Sequence, residues 1–266
     1  MTADPAAHRA PGYCCPAMAE FAPTEVAHGV HRFGSRLVNC YMVDDGGRLT
    51  VVDCGLPGFW DQVEPGLSSL GRSLQDVAAI VLTHGDNDHV GFAERLREAS
   101  GAPVSIHQED VPLATTKEEK ETEASLVPYL RHPAAWALLA HFATNGGMAP
   151  PPVAVVDTYE DGQTLEVPGA PRVLFTPGHT SGHCAIHFER HGVVFAGDAL
   201  CTRNPLTGKV GSQLLPSAFN VSSERAMASL GAIEATAAQT VLPGHGEPWT
   251  DGAAAAVEEA RSRGPT

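Results

Sequence analysis

The stretch that most constrains how this chain folds is residues 78–91, which read AAIVLTHGDNDHVG. Its apolar run, residues 79–82, predicts a buried strand, and the spacing of apolar residues from Val90 to Ser100 predicts a helix that ends at Gly101. The turn between strand and helix carries four side chains able to bind metal: His84, Asp86, Asp88 and His89. They are therefore expected at the carboxyl end of a strand, where open α/β sheets place their sites.

The side chains of this turn favour a metal site. Neutral imidazole and carboxylate are ligands of zinc, iron and manganese. Ligands two residues apart on a tight turn converge without help from distant parts of the chain. Taken alone, the same turn also fits a solvated polar loop that happens to be rich in His and Asp.

Three later stretches repeat the pattern of a buried strand, a small turn and one ligand-type side chain. They read VLFTPGHT from Val173, VVFAGD from Val193 and TVLPGH from Thr240. The turn glycines permit backbone conformations that a side chain would penalise. Four strand ends thus deliver seven ligand-type groups, which favours the metal site over a solvated loop: His84, Asp86, Asp88, His89, His179, Asp198 and His245.

In this order the motifs resemble the metallo-β-lactamase superfamily, whose signature is H-x-H-x-D-H, then a His, an Asp and a last His. An earlier Asp, Asp53 in TVVDCGLP, also matches the family pattern, and the resemblance extends from about Val26 to Trp249. It implies an α/β fold, the four-layer αββα sandwich. Residues 21–266 are predicted to form a single such domain, preceded by an Ala- and Pro-rich tail at 1–20 that is predicted to be disordered.

One position departs from the family pattern, because the second His of the signature is Asp86 here. Flavodiiron proteins resemble this variant, with a Glu at the position, and hold two irons. Asp86 is therefore predicted to bind metal. In the alternative interpretation it only accepts a hydrogen bond beside the metal.

The resemblance implies a role for each site residue. One metal would be held by His84, Asp86 and His179, the other by Asp88, His89 and His245, and Asp198 would bridge them. Asp53 would orient ligands without binding metal, and Asp88 would also be catalytic by orienting the attacking water or passing its proton on. Two zinc ions are expected, and the oxygen-rich ligand set also suits iron or manganese.

Composition excludes several partner classes. The formal net charge is -14, and no cluster of Lys and Arg is present, which argues against nucleic acid. No apolar run reaches membrane-spanning length, and the start lacks the apolar segment of a secretory signal. We therefore expect a cytoplasmic protein with a small-molecule substrate, no nucleic-acid partner and no membrane partner. The sequence leaves the oligomeric state open.

The predicted activity is a metal-dependent hydrolase that uses a metal-activated water on an ester, thioester, lactone or related carbonyl substrate. The alternative is a non-haem iron oxidoreductase on the same fold, similar to flavodiiron proteins or persulfide dioxygenases. A binding protein on a decayed enzyme fold is the third possibility. The near-complete set of ligand positions argues against it.

Segments outside the motifs give weaker signals. Lys117–Ala124 reads as a charged helix with a solvated face. Tyr129–Phe142 is predicted either to cover the site or to pack as a structural helix through Trp136 and Leu139. Arg203–Phe219 reads as a long loop beside Asp198 and as a second candidate wall for substrate.

Overall fold

The computed structural model describes residues 23–116 and 118–265, so the tail predicted at 1–20 lies outside the described residues. The larger of its two main sheets has seven strands in chain order: β1 Thr24–Ala27, β2 Val30–Gly34, β3 Asn39–Asp45, β4 Arg48–Val52, β5 Val77–Val81, β6 Val104–His107 and β7 Asp157–Tyr159. Strands β1 to β4 pair antiparallel, whereas β4 to β7 pair parallel.

The second main sheet has four strands, and a two-stranded hairpin stands apart from it. In chain order these six strands are β8 Arg172–Phe175, β9 Cys184–Phe188, β10 Val193–Gly197, β11 Cys201–Arg203, β12 Val210–Gln213 and β13 Thr240–Pro243. The four-stranded sheet has the order β13-β10-β9-β8, with β10 and β13 parallel, and β11 pairs with β12. Strands β10 and β13 therefore end at the same edge.

The helices follow the sheets along the chain. Their bounds are α1 Trp60–Ser69, α2 Ala93–Ser100, α3 Val111–Thr116, α4 Pro133–Thr144, α5 Ser223–Glu234 and α6 Ala253–Arg263. As predicted, α2 ends at Gly101, which adopts the left-handed conformation with φ 75°. None of the described helices has both the length and the apolar character needed to span a bilayer.

Three apolar clusters define the layers. One lies between the two main sheets and joins Tyr41 of β3 to Phe195 of β10, whose rings meet edge to face with centroids 5.1 Å apart. A second packs the first sheet against α1 and α2, and a third packs the second sheet against α5 and α6, through Leu230 and Val257. The order helix, sheet, sheet, helix confirms the predicted αββα sandwich.

Two segments differ from the sequence-based expectation. Residues 118–124 contain no helix, so the helix predicted for Lys117–Ala124 is wrong over its described part. Helix α4 does form, but it buries Ala135 and Leu138 while Trp136 is 58% exposed, so packing through Trp136 was wrong. The indole of Trp136 instead donates to the carbonyl of Leu130 across 2.8 Å.

The loop predicted at Arg203–Phe219 is more ordered than expected. Strand β12 lies inside it, and β11 ends at its first residue. The rest of the segment keeps the predicted position beside Asp198, and Leu206 and Phe219 from it line the same cleft as Asp198.

Candidate metal centre

The predicted ligands all stand on turns that follow strands. Strand β5 leads into the turn with His84, Asp86, Asp88 and His89, and the β8–β9 turn carries His179. Asp198 follows β10 and His245 follows β13. Because the two main sheets pack face to face, these turns meet at one edge of the sandwich.

The seven side chains form overlapping groups whose ligand atoms lie within 4.8 Å of one another. One group is His84, Asp86 and His179, and another is Asp88, His89 and His245. These are the two triplets that the family resemblance implied. The structure thus brings all seven residues together, while metal binding by them stays a prediction.

Asp198 lies between the two triplets. Its Oδ2 is 3.5 Å from His179 Nε2 and 3.2 Å from His245 Nε2, and its Oδ1 is 3.5 Å from His89 Nε2. One carboxylate therefore faces both halves of the site, as a bridging ligand must.

Asp53 orients the two histidines of the β5 turn. It directly follows β4 and lies in the left-handed region, with φ 60°, which is uncommon for a residue with a side chain. Its Oδ2 lies 2.9 Å from His89 Nδ1 and accepts a 2.8 Å hydrogen bond from the hydroxyl of Thr83. Because that hydroxyl donates to Asp53, it accepts from Nδ1 of His84, 3.0 Å away. Asp53 thus fixes both rings.

The other two histidines are held by neutral acceptors. Nδ1 of His179 lies 3.2 Å from Oδ1 of Asn220, whose amide nitrogen donates to the Leu215 carbonyl. Nδ1 of His245 lies beside the Leu37 carbonyl. With every Nδ1 engaged on its outer side, all four Nε2 atoms face the centre of the site.

Three atoms at the centre test whether the site suits a metal. His84 Nε2, His89 Nε2 and Asp198 Oδ1 are buried and have no hydrogen-bond partner within the described part of the chain. Leaving such atoms unpaired costs about 1–3 kcal/mol each, more for a charged group. A cation bound to them removes that cost, so the donor set fits a divalent metal.

Burial and neighbouring charges shift the pKa values of the ionisable groups at the site. Burial lowers the pKa of the His84 imidazole well below its ordinary value, and the neighbouring imidazoles add to this effect. At His245 burial also lowers the pKa, but the Asp198 carboxylate outweighs it and raises the pKa to about 9. Burial raises the pKa of the Asp86 carboxyl, yet the Lys120 ammonium and His179 hold it well below its usual range.

Close packing of the neighbouring turns fixes the position of Asp198. A Cβ at Gly244 would lie 2.3 Å from Asp198 Oδ1 and 2.7 Å from His89 Cε1, so only glycine fits between them. His183 accepts a 3.0 Å hydrogen bond from the backbone N–H of Asp198 through Nε2. Burial lowers the pKa of His183 to about 3, which suits this acceptor role.

Sequence reasoning missed two charged residues of the site. Asp110 is fully buried after β6 and accepts hydrogen bonds from Gly85, Thr180 and Gly182, which flank His84 and His179. Lys120 places its ammonium against Asp86 Oδ2. No local motif marks either residue, although a carboxylate just after the apolar residues of β6 is a weak signal for Asp110.

A cleft of about 710 Å³ opens over the site. Asp86, Asp88, His179, Asp198 and His245 line its floor. Much of its wall is apolar and comes from α3, α4 and the segments around them: Leu113, Leu126, Leu138, Leu139, Phe142, Met148, Leu206 and Phe219. Segment 129–142 therefore covers the site, which was the first of the two interpretations of this segment.

The sequence matches the model of the metallo-β-lactamase superfamily over residues 34–245. The chain belongs to the metallo-β-lactamase superfamily. It is 28% identical over 242 residues to the probable metallo-hydrolase YflN of Bacillus subtilis (strain 168), covering 85% of this chain and 87% of that protein. An uncharacterized protein of the same organism, YobT, is 27% identical over 79% of this chain and 83% of its own length.

Solved structures of the superfamily share the architecture. A metallo-beta-lactamase family protein from Thermus thermophilus superposes with a TM-score of 0.63 at 26% identity, covering 90% of this chain and 79% of its own. A Cronobacter sakazakii metallo-beta-lactamase with a HARLDQ motif gives a TM-score of 0.65 at 20% identity over 93% and 94% of the two chains. At that identity the likeness concerns the fold alone, and the superfamily places many chemistries on it.

Proposed function

We propose that this member of the superfamily is a metal-dependent hydrolase with a dinuclear zinc centre, acting on an ester, thioester, lactone or related carbonyl compound. The observation that carries the proposal is a set of three buried atoms at the centre of the site, on His84, His89 and Asp198, which have no hydrogen-bond partner among the described residues. The name of the relative YflN, a probable metallo-hydrolase, supports it.

Different residues would hold the two ions and move the proton. His84, Asp86 and His179 would hold one ion, Asp88, His89 and His245 the other, with Asp198 shared. Bound divalent ions supply a nucleophilic water at neutral pH and polarise the substrate carbonyl. Asp88 lies at the floor of the cleft with its Oδ2 3.4 Å from His245 Nε2, where it would orient the water and carry its proton to the leaving group.

Charge and shape narrow the substrate class. The centre carries the three carboxylates of Asp86, Asp88 and Asp198, one more than the usual superfamily pattern, so it attracts anions less than a site with the usual pattern would. The apolar wall of the cleft adds a surface for a hydrocarbon group. Both features favour neutral or singly charged carbonyl substrates with an apolar part over phosphodiesters.

A panel of substrates tests the proposal. Zinc-loaded protein is expected to hydrolyse esters, thioesters or lactones, with kcat/KM about tenfold higher for a hexanoyl than for an acetyl group because the wall buries the added methylenes. A chelator should abolish the rate and added zinc restore it. Leu139→Ser should reduce the preference for longer chains, with Ala137→Ser on the exposed side of α4 as control. Faster turnover of a phosphodiester than of any carbonyl substrate would contradict the proposal.

One observation favours a second candidate function. His84, Asp86 and His179 form a cluster of two histidines and one carboxylate, a set that non-haem iron oxygenases also use. Iron rather than zinc in protein purified without added metal, together with oxygen uptake in the presence of a persulfide, would select this oxidoreductase over the hydrolase.

A further inference from the structure

Lys120 occupies the half of the centre that contains Asp86. Its ammonium contacts Asp86 Oδ2 and lies 3.1 Å from His179 Nε2. The Lys120 side chain is 15% exposed and that of Asp86 is 21% exposed, so the pair is largely withdrawn from water. These two acceptor atoms are the ones that would face a metal.

The geometry at His179 calls for a cation. Because Nδ1 of His179 faces the Oδ1 acceptor of Asn220, Nε2 presents its lone pair to the centre. That atom lies 2.9 Å from the carboxylate oxygen of Asp86. A nitrogen lone pair and a carboxylate oxygen repel each other at this distance unless positive charge lies on or beside the pair. The ammonium of Lys120 supplies that charge.

The other half of the centre differs. Over residues 23–116 and 118–265, the ion pairs of Asp88, His89 and His245 join them to one another, to Asp53 and to Asp198, with no lysine or arginine. The two halves therefore present unequal conditions to an incoming metal. Over the described residues, only the Asp86 half is occupied by a cationic side chain that is not itself a predicted ligand and that must move away before a metal can bind.

The backbone around Lys120 is anchored on both sides. The N–H of Glu118 donates to the Pro112 carbonyl across 3.4 Å, and the N–H of Glu123 donates to the Asn220 carbonyl across 2.9 Å. The carboxylate of Glu123 also accepts from the N–H of Ser223, the first residue of α5, across 2.8 Å. These bonds hold the segment at the rim of the cleft, which keeps the ammonium close to the site even after it has left Asp86.

We propose that Lys120 is a tethered cation that competes with metal for the Asp86 half of the centre. Zinc then binds tightly to the Asp88, His89 and His245 half first. It enters the other half only by displacing the ammonium into the cleft, so the second ion binds much more weakly than the first. The inference rests on the metal centre of the proposed function.

Calorimetric zinc titration of the metal-free chain tests the competition. The parent should show one tight and one weak site, and Lys120→Leu should tighten the weak site about tenfold or more while leaving the tight one unchanged. Lys120→Arg should keep the weak site weak because it keeps a cation. Glu119→Gln, a neighbour that also lines the cleft, serves as the matched control.

Thermal melting separates competition from a merely structural role. In chelator, Lys120→Leu should melt below the parent, since Asp86 loses its counter-charge. In saturating zinc the order should reverse or vanish, whereas the loss of a structural contact would lower both melting temperatures.

The remaining outcomes decide against the inference. Two sites of equal affinity in the parent, or a Lys120→Leu variant with unchanged zinc constants, would overturn it and leave the proposed function standing. Absence of zinc binding in both proteins would overturn the inference and the proposed metal centre together.

Discussion

Replacing Asp198 by asparagine is expected to lower kcat/KM by about 10³-fold or more, equivalent to about 4 kcal/mol of transition-state stabilisation. The carboxylate lies within 3.5 Å of the Nε2 atoms of His89, His179 and His245, so it serves both halves of the centre. An amide of the same shape keeps the packing but has neither the charge nor the second oxygen that a bridge between two cations requires. Both zinc sites should weaken together.

Asp198→Asn should also lower the stability of the metal-free protein. Although burial raises the pKa of the Asp198 carboxyl, His245 and His89 hold that pKa well below its ordinary value, so the charged group contributes to folding. Removing the charge from this buried cluster should cost about 3 kcal/mol of unfolding free energy in chelator. Denaturant unfolding measures this cost, with Asp61→Asn on the exposed side of α1 as control. An Asp198→Asn protein that keeps both zinc ions and most of its rate would contradict the bridging role.

The second large effect is expected at Asp110, which no motif marks. One of its oxygens accepts from Gly85 N–H at 3.0 Å and from the Thr180 hydroxyl at 2.6 Å, and the other accepts from Gly182 N–H at 2.7 Å. These bonds tie the turn that carries His84 and Asp86 to the turn that carries His179. Asp110 therefore positions three predicted ligands without being a predicted ligand itself.

Asparagine at position 110 would replace one carboxylate oxygen of Asp110 by an NH2 group. That NH2 group would face the N–H or O–H donor from which the oxygen had accepted a hydrogen bond. The expected loss is about 2–4 kcal/mol of unfolding free energy, because the affected group is buried and charged. Zinc affinity of the His84, Asp86 and His179 half should fall about 10–100-fold, the usual effect of losing a group that orients ligands.

If Asp110 only stabilised the fold, its substitution would lower the zinc affinity of both sites equally. We therefore expect zinc titration of Asp110→Asn to show the other half, with Asp88, His89 and His245, changed by less than about threefold. Asp157→Asn, an exposed substitution on β7, is the control. Equal weakening of both sites, or of neither, would contradict the positioning role.

The fold and the ligand constellation were predicted through the resemblance to the metallo-β-lactamase superfamily, and that resemblance rests on local signals that repeat. Each ligand turn follows a continuous apolar run such as residues 193–197, which forms the fully buried β10. Glycines such as Gly197 and Gly244 occupy turns where a side chain would collide with the site. Each such pattern can be recognised within a single segment of the sequence.

The residues that the sequence did not predict owe their roles to contacts between distant segments. The stretch KEEKETE at 117–123 is typical of a solvated helix, yet Glu123 binds the start of α5, and Lys120 reaches into the centre. Tertiary contacts override helix propensity here. Asn220 likewise has no local signature, since its role is set by His179.

Anomalous scattering at the zinc edge from crystals soaked in saturating zinc tests the central claim most directly. We expect one peak bounded by His84, Asp86 and His179 and a second bounded by Asp88, His89 and His245, with Asp198 between them. A single peak that leaves Asp86 without metal would reduce the centre to one ion. Peaks elsewhere, or none, would contradict the metal centre itself.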